Sequence, residues 1–146
     1  MFISSIEKYF KFLKNHDIHI KSQNNFPHSS GIASSASSMS CLSSCLVDIE
    51  LLNSKSKDES YYTKKKSFIA RLGSGSASRS IEGPITLWGF SNSYLDSSDL
   101  YAINISNDVN KVFHDYQNSI LIIDPGVKKI SLSLIHISEP TRPYSI

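Results

Sequence analysis

At 146 residues, with 40% hydrophobic and 19% charged side chains, the chain fits one modest domain. It is long enough to bury a core and short for an enzyme that holds two substrates in complete sites. A net charge of +2 is too small to imply nucleic acid or a membrane surface as a partner. No apolar run approaches the roughly 20 residues that span a bilayer, and Met1 opens an amphipathic segment rather than a signal peptide, so a cytoplasmic location is the expectation.

In chain order, Ile3, Ile6, Phe10 and Leu13 recur at steps of three and four and predict an amphipathic helix over about residues 2 to 15. Lys14 and His16 suit the negative pole at its end. The alternation Ile18-His19-Ile20-Lys21 predicts a short strand. Ala33, Ala36, Met39, Leu42, Leu46 and Ile49 then repeat at helical spacing, which puts the intervening serines on the other faces of one helix. That period argues against the disordered linker a Ser-rich stretch otherwise suggests. Cys41 and Cys45, the only cysteines, share one face of this helix and do not make a metal set, so they read as small buried apolar side chains.

Asn53 to Ser60 is polar and reads as a loop. Tyr62, Phe68, Ile69 and Leu72 predict a second helix that closes at Gly73. Within it, Lys64-Lys65-Lys66 beside Tyr61 and Tyr62 reads as a solvated face rather than a binding patch. Strands are expected at Ile85–Phe90, Leu100–Ile105 and Ser119–Ile123, the last stopped by the turn Asp124-Pro125-Gly126, which accounts for Asp124 without a catalytic role. Helices and strands mix without regular alternation, which favours an α+β layer fold.

Two Ser/Gly tracts, about 40 residues apart, carry the chemistry. In the first, Asn24-Asn25-Phe26-Pro27 runs through Gly31-Ile32-Ala33-Ser34-Ser35-Ala36. Pro27 and Gly31 shape a tight loop, small residues let a polyphosphate approach the backbone, and the following helix aims its positive end at it. It is neither a Walker A loop nor a dinucleotide fingerprint, since both the Gly-Lys-Ser/Thr and the required glycine spacing are absent. The second tract is Ala70-Arg71-Leu72-Gly73-Ser74-Gly75-Ser76-Ala77-Ser78-Arg79-Ser80. Its amides and hydroxyls precede Arg79, a cation able to hold a phosphate or carboxylate through two hydrogen bonds. From its residues alone, a Gly/Ser helix connection with a surface arginine stays open for this tract.

The order Asn-Asn-Phe-Pro, Gly-Ile-Ala-Ser-Ser-Ala-Ser, then Ala-Arg-Leu-Gly-Ser-Gly-Ser-Ala-Ser-Arg-Ser-Ile with Gly83 and Trp88 following, resembles the diphosphomevalonate decarboxylases of the GHMP kinase superfamily from about Ile18 to Ser131. The resemblance implies a GHMP kinase-like two-layer α+β domain. It implies ATP, with Mg2+, as cofactor and mevalonate 5-diphosphate as substrate, in the step of isoprenoid synthesis that makes isopentenyl diphosphate. ATP phosphorylates the 3-hydroxyl, then phosphate and carbon dioxide leave. On the same basis Pro27, Gly31, Ala33, Ser34 and Ser35 are expected to hold ATP. Ser74, Gly75, Ser76, Ala77, Ser78 and Arg79 are expected to hold the substrate, with Arg79 near its carboxylate as the catalytic residue. A homodimer is expected for the full-length protein, with no metal ligands from this chain and no nucleic acid or membrane partner.

The family's N-terminal Ala-x-x-Lys-Tyr-Trp-Gly-Lys motif does not occur in the sequence, and its catalytic aspartate belongs to a later region than the one matched. Residues 1–131 are therefore expected to be part of an N-terminal domain reaching into the start of the second half, inactive alone. Beyond Ser131, the peptide Leu132 to Arg142 resembles an in-frame translation of a transposase sequencing adapter, so 132–146 is expected to be foreign. Removing it takes away one acid, Glu139, and one base, Arg142, and leaves the charge at +2. A related superfamily enzyme acting on mevalonate or its monophosphate, and a non-catalytic phosphate-binding module, remain as alternatives.

Overall fold

Apolar positions at steps of three and four form the helices α1 (Phe2–Ile6), α2 (Ser34–Leu52) and α3 (Glu59–Gly73) in the computed structural model, which describes residues 2–26, 32–56 and 58–121. Asp58 starts α3: its carboxylate accepts the Tyr61 N–H at 3.0 Å, while Glu59 in the first turn and Arg71 in the last complement the helix dipole. Helix α2 has no side-chain cap. Its serines bond back to their own helix, Ser38 Oγ to the Ser34 carbonyl and Ser40 Oγ to the Ala36 carbonyl, each at 2.9 Å. The helix therefore owes its stability to packing rather than to propensity.

The main core joins Ile6 and Phe10 to Leu46 and Val47 of α2 and Tyr62 and Ile69 of α3. The apolar period over residues 2 to 15 thus marks a buried face as expected, but the single helix does not form. After α1 the chain makes short 3-10 turns at Glu7–Tyr9 and Lys11–Lys14, separated by Phe10 in an extended conformation. The Tyr9 carbonyl, which a continuous helix would bond to the Leu13 amide, accepts instead from Lys65 Nζ at 3.1 Å. Leu13 N–H bonds to the Phe10 carbonyl, and the Phe10 ring lies under the same ammonium at 4.8 Å. Beyond the last turn the His16 ring donates to the Phe12 carbonyl at 2.9 Å.

Two antiparallel strands, β1 (Thr86–Trp88) and β2 (Ala102–Asn104), form a small sheet with Thr86 opposite Asn104 and Trp88 opposite Ala102. The class is α+β. Among the described residues the other two expected strands do not appear. Residues 18–21 are exposed and irregular, because an alternating pattern becomes a strand only with a hydrogen-bonded neighbour, and none is present among the described residues. Residues 119–121 are likewise exposed and without a strand, while 122, 123 and the Asp124 turn lie outside the described residues.

Two further expectations change. Cys41 and Cys45 are exposed free thiols, not buried ones. The buried positions of α2 are Ala36, Ser40, Ser43, Leu46 and Val47, so serines occupy interior places that the apolar period had assigned elsewhere. Partial burial, then the neighbouring Cys41, pushes the Cys45 thiol up. The Lys64–Lys66 run is not simply a wet face either: each ammonium meets a carboxylate, Asp96 at 2.6 Å, Glu50 at 2.6 Å and Asp48 at 2.7 Å. Lys65 and Lys66 thereby tie α3 to α2.

Candidate functional site

Helix α3 ends at Gly73, and the second tract follows at once. Ser74 is extended, its N–H still bonded to the Ala70 carbonyl, and Gly75–Ser80 then closes into a 3-10 turn. Gly73 lies close against two side chains: a Cβ there would displace the Met39 thioether and fall 2.9 Å from the Phe2 ring. Ala77 and Ser78 are fully buried, whereas Gly75 and Arg79 are exposed and Ser74 and Ser76 half-buried. The tract therefore has an inward pair and an outward set.

The inward pair is anchored by hydrogen bonds. Ser78 Oγ donates to the Gly75 carbonyl at 3.0 Å, and the Ser78 carbonyl accepts from Ser67 Oγ at 2.8 Å. Ser67 Oγ in turn accepts the Ala102 N–H of β2 at 2.8 Å. Trp88 flanks the turn, its ring 3.5 Å from where a Gly75 Cβ would stand, held by Nε1–H donating to the Asp99 carbonyl at 3.1 Å. The motif's two arginines part company. Arg71 donates from Nε to the Leu100 carbonyl at 2.9 Å and lies over the Phe68 ring. The Arg79 guanidinium is exposed and has no ion pair or hydrogen bond among the described residues.

Of the first tract, Pro27 and Gly31 lie outside the described residues. Ala33, exposed, precedes α2 with φ 55° and ψ 43°, the left-handed region that an alanine adopts at a cost. Ser34 and Ser35 open the helix. Its first internal backbone bonds are the Ala36 and Ser37 N–H groups donating to the Ala33 carbonyl, so the Ser34 and Ser35 amides belong to the unbonded first turn that suits an anion.

The two tracts meet. Ala36 of α2, Ala70 of α3 and Ala77 of the turn form a buried cluster flanked by Met39 and Ile81. Three methyl side chains at one junction let the start of α2 and the Ser/Gly turn approach closely. Ser67 has no mark in the sequence, because a serine carries no apolar signal. Its spacing, three residues before buried Ala70 on α3, is the one cue to its burial.

The family model described as the diphosphomevalonate decarboxylase-like N-terminal domain matches residues 1–101, starting before Ile18 and ending short of Ser131. Diphosphomevalonate decarboxylase of Ganoderma lucidum is 37% identical over 94 residues, covering 64% of this chain and 22% of the relative. The Saccharomyces cerevisiae enzyme is 37% identical over 90 residues, 62% of this chain and 21% of its own length. That of Bos taurus is 35% identical over 74 residues, 51% and 16% respectively. The chain thus spans about a fifth of the length of the first two. No solved structure matches it. With both tracts meeting at one junction and the family model covering most of the chain, this protein belongs to the diphosphomevalonate decarboxylase-like N-terminal domain family.

Proposed function

We propose that this chain supplies part of the active site of an ATP-dependent diphosphomevalonate decarboxylase, within a GHMP kinase-like two-layer domain. The observation that carries the reading is the Ala36–Ala70–Ala77 junction, which holds the two phosphate-suited tracts against each other. Mevalonate 5-diphosphate is the substrate, with its diphosphate beside Ser74, Gly75 and Ser76. Ala77 and Ser78, turned inward, support the turn that meets it.

ATP, when bound with Mg2+, supplies the phosphoryl group that makes the tertiary 3-hydroxyl a leaving group. Ala33, Ser34 and Ser35, through their amides, together with Pro27 and Gly31, are the residues proposed to hold its phosphates. Arg79 holds the substrate carboxylate in line as charge moves toward the departing phosphate, an electrostatic placement that needs a cation not spent on a protein partner. Its exposed guanidinium meets that need, and Arg71, already bonded to Leu100, does not.

The full-length protein is proposed to be a cytoplasmic homodimer. The 146-residue chain alone is inactive on this reading. Carbon dioxide release from mevalonate 5-diphosphate by the full-length polypeptide that contains this chain tests it. ATP-dependent release, absent without ATP, is expected. Phosphorylation of mevalonate or its monophosphate without release would place the protein among the related superfamily kinases instead.

A further inference from the structure

We propose that Ser67 is a positioning residue for the substrate turn, its hydroxyl fixing the peptide plane from which Arg79 departs. The inference rests on the decarboxylase reading above. Ser67 is 1% exposed, and its one hydroxyl serves two buried backbone groups from distant parts of the chain. It donates to the Ser78 carbonyl and accepts from the Ala102 N–H, both at 2.8 Å. The turn is thereby tied at one atom to α3 and to β2.

The geometry has an electrostatic consequence. The carbonyls of Ser74, Gly75 and Ser78 accept internal bonds from Ala77 N–H, Ser78 Oγ and Ser67 Oγ respectively. Carbonyl oxygens repel an anion, so a turn that keeps them bonded to its own donors presents its other side to a diphosphate or carboxylate. The Ser78 carbonyl shares a rigid peptide plane with the Arg79 N–H. Without the Ser67 hydroxyl this carbonyl loses its side-chain donor in the interior, where an unpaired polar group is unfavourable, and the plane carrying Arg79 rotates to find another. Ser67 touches no substrate on this account; it acts through Ser78 and Arg79.

The test compares Ser67→Ala, Ser67→Thr and Ser97→Ala in the full-length protein, reading kcat and KM for mevalonate 5-diphosphate and for ATP beside Tm. Ser97 is also a buried serine bonded to backbone carbonyls, those of Ser91 and Tyr94, but it lies in the hairpin between β1 and β2. Ser67→Ala is expected to lower kcat/KM for mevalonate 5-diphosphate roughly 10- to 100-fold while KM for ATP stays within about twofold. Ser67→Thr keeps the hydroxyl and is expected to hold kcat/KM within about threefold, even where its extra methyl lowers Tm. Ser97→Ala should lower Tm and leave both substrates' constants unchanged.

Losses that follow Tm across all three variants, or an equal rise in KM for ATP, would make Ser67 merely structural and overturn the proposal. Wild-type turnover with Ser67→Ala at wild-type kcat/KM overturns the role of Ser67 alone, whereas a wild-type protein that releases no carbon dioxide overturns the decarboxylase reading and this role with it. Ser67→Cys, with its weaker donor and acceptor, takes the place of Ser67→Ala if the alanine variant does not fold.

Discussion

The two Ser/Gly tracts reach the same junction by different physical means. The Ser74–Arg79 turn is built from inside: Ala77 and Ser78 are buried, and side-chain hydroxyls occupy its carbonyls. The start of α2 relies on a helix terminus, with an exposed Ala33 in a left-handed conformation and no side-chain cap. One tract is preorganised by hydrogen bonds to the interior, the other by the direction of a helix. A preorganised turn is sensitive to changes behind it, whereas a helix terminus is sensitive to changes at its own backbone.

The largest expected effect tests the outward side of the turn. In the full-length protein, Arg79→Ala is expected to lower kcat roughly 100- to 1,000-fold and to leave Tm unchanged, since the guanidinium is exposed. A loss confined to Tm would remove Arg79 from the chemistry. Next, Ala77→Leu overpacks the alanine junction from behind and is expected to cost about 1–3 kcal/mol of stability in denaturant melts. Because the two tracts share that contact, KM for both ATP and mevalonate 5-diphosphate should rise. A change limited to one of them would mean that the junction does not couple the tracts.

Ala33→Gly works in the opposite direction. It relieves the left-handed backbone and is expected to stabilise by about 0.5–1 kcal/mol, as read from the denaturation midpoint. Destabilisation would show that the left-handed conformation is not kept in solution. The smallest effect belongs to Lys64, which pairs with Asp96 of the hairpin. Hydrogen bonding to Asp96 raises its pKa above the ordinary 10.5, so its contribution is complete below that pH and is lost as pH rises through the higher folded value. Because the pair is partly exposed, Lys64→Met is expected to cost under about 1 kcal/mol at neutral pH, measured by thermal melts at pH 7 and at stepped alkaline pH, with the difference between variant and wild type narrowing as pH rises above 10.5.

Much of the fold was legible from pattern alone. Helix α3 closes at Gly73, where the sequence placed its end, and β1 and β2 lie within the expected Ile85–Phe90 and Leu100–Ile105 segments. Local chemistry decides such boundaries, because Asp58 and Gly73 act on their immediate neighbours. The failures all needed a partner. Residues 18–21 alternate but lack, among the described residues, a strand to pair with, the helix breaks at Phe10 where Lys65 bonds the freed Tyr9 carbonyl, and the lysine run meets carboxylates of α2 and the hairpin. Of the candidate site, the tracts could be read directly from composition and order. The division of the second tract into inward and outward residues could not.

The sequence by itself determined the helical periods, the close of α3 at Gly73, the two hairpin strands and, through the Gly-Ser-Gly-Ser-Ala-Ser-Arg-Ser run, the family. Only the tertiary structure decided which serines face inward. Ser40, Ser43, Ser67 and Ser78 are buried while Cys41 and Cys45 are exposed, the reverse of a hydrophobicity ranking. The reason is that serine is small enough for close helix packing and its hydroxyl can donate to a backbone carbonyl. Its burial depends on a carbonyl within reach, such as Lys66 for Ser43 or Ser78 for Ser67. Those partners lie 23 and 11 residues away along the chain, and only the folded packing brings them within reach.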